Sequence, residues 1–155
     1  MDYNKKIREE AKFHAKSLIA IVRAVEEKYG KEGVETVKNA WLKEVFYKPW
    51  QEAGQSVENN DIRTLKDMVE QGCTGTHEWE KVTDEPNRVA YKFTGCVWAE
   101  IFRELGAPEI GKWFCDSDPV YVEAFNPKIK FKRTKTLMEG DECCDHIFYT
   151  DEKGE

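Results

Sequence analysis

The stretch KIKFKRTKTLMEGDECCDHIFY, residues 128–149, decides the fold. Residues 128–138 alternate apolar and polar side chains with the period of two that a half-buried strand requires. Gly140-Asp141 then suits the centre of a two-residue type II′ turn. With Glu139 opposite Glu142, the register predicts Leu137 facing Cys144, Lys135 facing His146 and Arg133 facing Phe148. One face of this hairpin then carries Ile129, Phe131, Arg133, Lys135, Leu137, Cys144, His146 and Phe148. The other carries Lys128, Lys130, Lys132, Thr134, Thr136, Cys143, Asp145, Ile147 and Tyr149, and reads as solvent-facing. Two cations, an imidazole and a thiol therefore lie on the face that should point inward. Buried charge is costly unless it is paired, so a candidate site is expected here. The lysines at 128, 130 and 132 read as a solvated outer face and not as a phosphate patch.

Working upstream, residues 77–83 and 88–94 are rich in aromatic and β-branched side chains and flank Asp84-Glu85-Pro86-Asn87, which predicts a second antiparallel hairpin. Thr94 is a candidate cap for a helix whose inner stripe is Trp98, Ile101, Phe102 and Leu105, closed by Gly106. Pro108 opens another short helix. Asp116-Ser117-Asp118-Pro119 is expected to break it and start one more turn, with Asp118 as the cap, and Asn126-Pro127 to end that. The first 72 residues read as helices. Tyr3, Ile7, Ala11, Leu18, Ile21, Val25 and Tyr29, with His14 filling the gap as a core histidine, form a stripe that Gly30 stops. Val34, Val37, Trp41, Leu42, Val45 and Phe46 form a second, which should end before Pro49. A loop over 52–60 precedes a third helix, with Asn60 or Asp61 as cap, Ile62, Leu65, Met68 and Val69 buried, and Gly72 as stop. The expected fold is α+β: one domain over residues 1–155, helical over 1–72, then hairpin, helices and hairpin over 73–150. The four strands should form one antiparallel sheet covered by helices on one face, with the acidic tail 151–155 fraying.

Composition narrows the function classes. The 155 residues hold 24 Lys plus Arg against 30 Asp plus Glu, a formal charge of −6, which argues against nucleic acid as a partner. With 40% hydrophobic and 35% charged residues, no apolar run long enough for a membrane and no secretory leader, the chain is expected in the cytoplasm and off the membrane. Five cysteines, two of them adjacent, fit free thiols better than a disulfide framework. There is no Gly-rich dinucleotide fingerprint, P-loop, HExxH or CxxC. Cys143 and Cys144 point to opposite faces of a strand, so only Cys144 joins the candidate face.

Three stretches carry a family resemblance: CVWAEIFRELGAPEIG from Cys96, WFCDSD from Trp113, and FKRTKTLMEGDECCDH from Phe131. Over about residues 87–149 the chain resembles the L-2-amino-thiazoline-4-carboxylic acid hydrolase family. The resemblance implies hydrolytic opening of a small sulfur- and nitrogen-containing ring, in the named case giving N-carbamoyl-cysteine. Carried over by position, the family pattern falls on Cys96, Cys115, Asp118, Arg133, Thr134, Thr136, Gly140, Cys144, Asp145 and His146. Cys143 is an addition to that pattern, and the Ser117-Asp118-Pro119 context suits Asp118 as a helix cap as well as a catalytic acid.

Two chemistries follow. In the first, a thiolate, Cys115 or Cys144, attacks the ring carbon, with His146 as general base, Asp118 orienting it or activating water, and Trp98 walling the pocket. Arg133 or Lys135 then grips the carboxylate of a small-molecule substrate. A helix N-terminus should lower the Cys96 pKa, and His146 with two cations should lower that of Cys144. In the second, Cys96, Cys115, Cys144 and His146 ligate zinc or an iron-sulfur cluster. The alternative to a hydrolase is a non-catalytic sensor or carrier that uses the same cysteines for a metal, cluster or small ligand, and the helical first half would suit a homo-oligomer. The plain alternatives are cysteines packed as small apolar groups and Arg133 paired with Glu100 or Glu104.

Overall fold

The computed structural model describes residues 4–151, so Tyr3 of the expected first stripe and the tail 152–155 lie outside the described residues. Helix α1 spans Lys5–Trp41, and the Asn4 side chain caps it by accepting the Lys6 N–H. Its buried stripe is Ala11, Ala15 and Val22 with Leu18 and Ile19 beside them, which keeps Ala11 and Leu18 of the expected one. Ile21 and Tyr29 are exposed, and so is His14, which is therefore not a core histidine. Small alanines set this interface because α1 lies directly on α4 (Val97–Glu104), leaving no depth for larger side chains. Gly30 breaks the helical conformation as expected, with φ at +66°.

Pro49 does not end the helical run. A π-turn over Leu42–Tyr47 leads into α2, Lys48–Ser56, with Pro49 in its first turn and the Lys48 N–H bonded to the Lys43 carbonyl. Widening the turn carries the carbonyl that the proline ring would strike out of its way. The loop expected over 52–60 is accordingly shortened to the few residues before α3, Ile62–Cys73, whose cap is Asp61.

The hairpin β1 (His77–Glu85) and β2 (Arg88–Cys96) turns at Pro86-Asn87, with one bulge on each strand: Thr94 of β2 is the extra residue opposite Glu78 and Trp79, and Val82 is the extra residue of β1 between Lys81 and Thr83. Because β2 runs on to Cys96, that residue and not Thr94 caps α4, its Sγ accepting the Ala99 N–H at 3.5 Å. Helix α5 is continuous over Pro108–Phe125, correcting the expected break and removing Asp118 as a cap. Pro119 has no N–H to offer the Cys115 carbonyl four residues back, and Arg133 Nη1 donates to that carbonyl instead at 3.0 Å.

The last hairpin differs most. Strand β3 is only Lys130–Lys132, and it pairs with β4, Cys144–Tyr149, so that Phe131 and not Arg133 faces Phe148. No tight turn joins them. Asp145 accepts the N–H groups of Thr134 (2.7 Å) and Lys135 (2.6 Å) and the Thr134 hydroxyl; Asp141 accepts the Thr136 N–H, and Cys144 Sγ the Leu137 N–H. Side chains have taken the donors that a strand would have offered to β4, and the segment closes as a 3₁₀ turn over Leu137–Glu139. Thr136 and Cys143 are buried by this loop, against the expectation that their face meets solvent.

The four strands form one antiparallel sheet in the order β1-β2-β4-β3, and the α+β architecture is as expected. One core joins α1, α4 and the start of α5; the other joins α3, the end of α5 and the inner sheet residues Val89, Tyr91, Phe93, Cys144 and Phe148. Among the described residues no helix is long and apolar enough to cross a membrane. Where α2 crosses α5, a Cβ on Gly54 would lie 2.3 Å from the Phe125 carbonyl oxygen. Gly54→Ala must push two backbones apart and should cost about 1–3 kcal/mol; an unchanged urea midpoint would show that the crossing is looser than this.

Candidate functional site

Between the two cores lies a pocket of about 240 Å³. Its walls come from every layer: Cys73 ends α3, His77 starts β1, Phe93 and Cys96 lie on β2, and Trp98 on α4. Helix α5 adds Phe114, Cys115, Asp118 and Tyr121, and β4 adds Cys144 and His146. Two aromatic pairs brace it, Trp98 stacked on Phe114 at 4.6 Å and Trp50 on Tyr121 at 4.7 Å. A larger cleft of about 470 Å³ is edged by turn residues and Lys128 and Lys130 and holds none of the candidate residues.

Six of the candidates line this one pocket: Cys96, Trp98, Cys115, Asp118, Cys144 and His146. Arg133 stands behind it, its Nη1 2.5 Å from Asp118 Oδ2. Glu100 and Glu104, its alternative partners, pair instead with Arg8 and Lys12 from α1. Lys135 is not in the site. It is exposed and bonds Glu142 at 2.7 Å, because the Asp145 clasp turns its segment out of the sheet.

Burial governs the electrostatics. It pushes the thiols of Cys73 and Cys96 up to about 12 and that of Cys115 to about 11, and it raises Cys144 as well. The expected lowering at Cys96 and Cys144 does not occur. The Ala99 N–H does favour the Cys96 thiolate, but desolvation outweighs it. His77 is lowered to about 4 by burial alone, and His146 to about 3 by burial, with Arg133 and His77 adding to it. Both imidazoles are therefore neutral at pH 7. The 3.6 Å approach of His146 Nε2 to Asp118 Oδ2 is then neither an ion pair nor a hydrogen bond.

Asp118 is the exception. Burial raises it to about 7, with Asp116 adding to the rise, against the lowering effects of Arg133 and of a hydrogen bond from Tyr121. It is the pocket group that changes charge near neutrality. No lysine or arginine is among the described residues that line the pocket, and no group of three or more His, Cys, Asp or Glu among them is arranged to hold a metal ion.

His77, Cys73 and Tyr121 are pocket residues that the sequence reading did not select. A signal for His77 existed: with the turn at Pro86-Asn87, the β1–β2 register places His77 opposite Cys96. Trp113 is core, and Trp79 packs edge-on to Tyr91.

The family model described as L-2-amino-thiazoline-4-carboxylic acid hydrolase matches residues 10–148, reaching well into the helical first half. No curated protein matches the chain. Among solved structures it is similar to the phenol-responsive sensory domain of the transcription activator PoxR, in its crystal structure with phenol. The two share 14% identity over 92% of this chain and 77% of that one, with a TM-score of 0.57, a likeness of fold.

Proposed function

The chain belongs to the L-2-amino-thiazoline-4-carboxylic acid hydrolase family, and from that premise we propose that it opens a small sulfur- and nitrogen-containing ring by attack of water, with Asp118 as the general base. The observation that carries this reading is the raised Asp118 carboxyl, at about 7, in a pocket whose thiols and imidazoles all stay neutral. A base poised near the working pH combines correct protonation with driving force. Asp118 takes a proton from water as the water oxygen bonds to the amidine carbon of the ring and the C=N π pair moves onto the ring nitrogen. That pair re-forms the C=N bond as the carbon–sulfur bond breaks with its electrons going to sulfur; the Asp118 proton follows to give the free thiol, and the remaining hydroxyl proton moves to nitrogen to leave the urea. Arg133 holds the carboxylate in place from behind, and the buried thiols serve as walls, since a thiol at about 11 or 12 offers little nucleophile at neutral pH.

The test is ring opening of L-2-amino-thiazoline-4-carboxylate and of 2-amino-thiazoline, followed by mass spectrometry as the gain of one water. We expect kcat/KM to rise with pH through about 7 and then level off. A rate that keeps climbing toward pH 11 would return the mechanism to a thiolate.

A second reading, a small-ligand sensor, is favoured by one observation: the aromatic lining carries no cation. The fold likeness to a phenol-responsive sensory domain supports it. Tight binding of a ring compound with no turnover of either thiazoline would select this reading.

A further inference from the structure

The pocket's polar inventory defines what it takes up. Thr76 Oγ1 lies 3.3 Å from the Gly72 carbonyl, 3.2 Å from the Cys73 carbonyl and 2.9 Å from His77 Nδ1. Carbonyls only accept, so with the single hydroxyl proton on either of them the hydroxyl lone pair is open to a proton on Nδ1, which is the His77 tautomer whose acceptor is Nε2. Nε2 finds no hydrogen-bond partner among the described residues, while the His77 ring borders the cavity beside Phe93. An unpartnered acceptor at a cavity wall is open to a ligand donor.

Charge sets the other half of the specification. The nearest cation, Arg133, spends its Nη1 on Asp118 and the Cys115 carbonyl, and Lys135 points away to Glu142. A carboxylate entering this pocket would meet aromatic rings, neutral imidazoles, protonated thiols and the Asp118 carboxyl. It would lose water and gain no cation to pair with.

We propose that His77 holds this tautomer, that the pocket's ligand is a carboxylate-free ring bearing an N–H or O–H donor, and that His77 Nε2 accepts that donor. This rests on the same cavity being the ligand site and narrows its substrate class, departing from the carboxylated ring of the family's description. It also assigns a recognition role to a residue outside the Asp118, His146 and Arg133 group.

The experiment is calorimetric titration of the intact chain at pH 7.5 with three non-hydrolysable probes: 2-aminothiazole, 2-aminothiazole-4-carboxylate and thiazole. We expect 2-aminothiazole to bind about 100-fold more tightly than its carboxylate, from the cost of an unpaired buried charge. Thiazole, which lacks the donor, should bind about tenfold more weakly than 2-aminothiazole. His77→Phe should abolish the preference for 2-aminothiazole over thiazole and keep the discrimination against the carboxylate; His77→Gln, which retains an acceptor, should keep both. Equal or tighter binding of the carboxylate, equal binding of thiazole, an unaltered preference in His77→Phe, or no binding of 2-aminothiazole each overturns the proposal. Since these are binding measurements on inert rings, a chain that opens no thiazoline still answers them, and the hydrolase reading stands or falls separately.

Discussion

Asp118→Asn is expected to lower kcat/KM by about 10²–10⁴-fold, the range over which a positioned acid–base group contributes, and to abolish the rise in rate through pH 7. Asparagine keeps an oxygen for Arg133 Nη1, so the far-UV circular dichroism spectrum should be unchanged. The same variant has a signature in stability. Below pH 6.5 the unfolded chain protonates the two pocket histidines, which the fold keeps neutral to about 4 and about 3, so acidification destabilises the fold through both. Asp118 works the other way: raised to about 7, it takes its proton in the fold first, and the unfolded chain follows only near 3.8. Between pH 6.5 and 4 the unfolded state therefore holds one proton more from these three groups, two from the histidines against one on folded Asp118. That is about 1.4 kcal/mol lost per pH unit of acidification. In Asp118→Asn the compensation is gone and the loss should steepen to about 2.7 kcal/mol per unit. Urea denaturation at pH 6 and pH 5 reads both slopes, and equal slopes would mean that Asp118 is an ordinary, solvated carboxylate.

Arg133→Met should be the most damaging single change to the fold, costing about 3–5 kcal/mol at pH 8, as breaking a buried pair does. Two groups lose their partner together: the Asp118 carboxylate and the Cys115 carbonyl that Pro119 leaves unbonded within α5. The cost should shrink at pH 5, where folded Asp118 is protonated and no anion is stranded. Adding Asp118→Asn to Arg133→Met should recover about half of the loss for the same reason, a coupling that a double-mutant cycle measures directly. If the two single effects simply add, the arginine is not there for the aspartate.

How much of this was legible follows from the range of each signal. On β4 the faces were right although the register slipped by two residues, because a slip of two preserves the alternation that puts Cys144, His146 and Phe148 together. That is why the sequence reached the pocket at all. What it missed depends on partners far along the chain. Asp145 looks like any outward strand residue until its carboxylate is seen holding the amides of Thr134 and Lys135, and with them the whole loop that removes Lys135 from the site. Pro119 reads as a helix breaker because nothing local shows that Arg133 will take the carbonyl it abandons. The thiol pKa values failed for a related reason: a helix N-terminus and nearby cations are visible in a sequence, but the depth of burial that outweighs them is not. On α1, Ala11 was selected but Ala15 and Val22 were passed over in favour of Ile21 and Tyr29, because the three-and-four spacing was followed one position off the buried line.

The two outer strands of the sheet also bear on how the protein behaves when crowded. An unpaired strand margin is a template on which another chain can zip, the usual seed of aggregation. Here one margin is β1, distorted by its own bulge at Val82 and by that of β2 at Thr94, and the other is β3, three residues long with exposed Lys130 and Lys132 at its ends. The bulges break the even spacing that a recruited strand would need, and the short margin ends in charge before a stable ladder can form. Lys130 and Lys132, a solvated face and not a phosphate grip, serve as a guard on the open margin of the sheet.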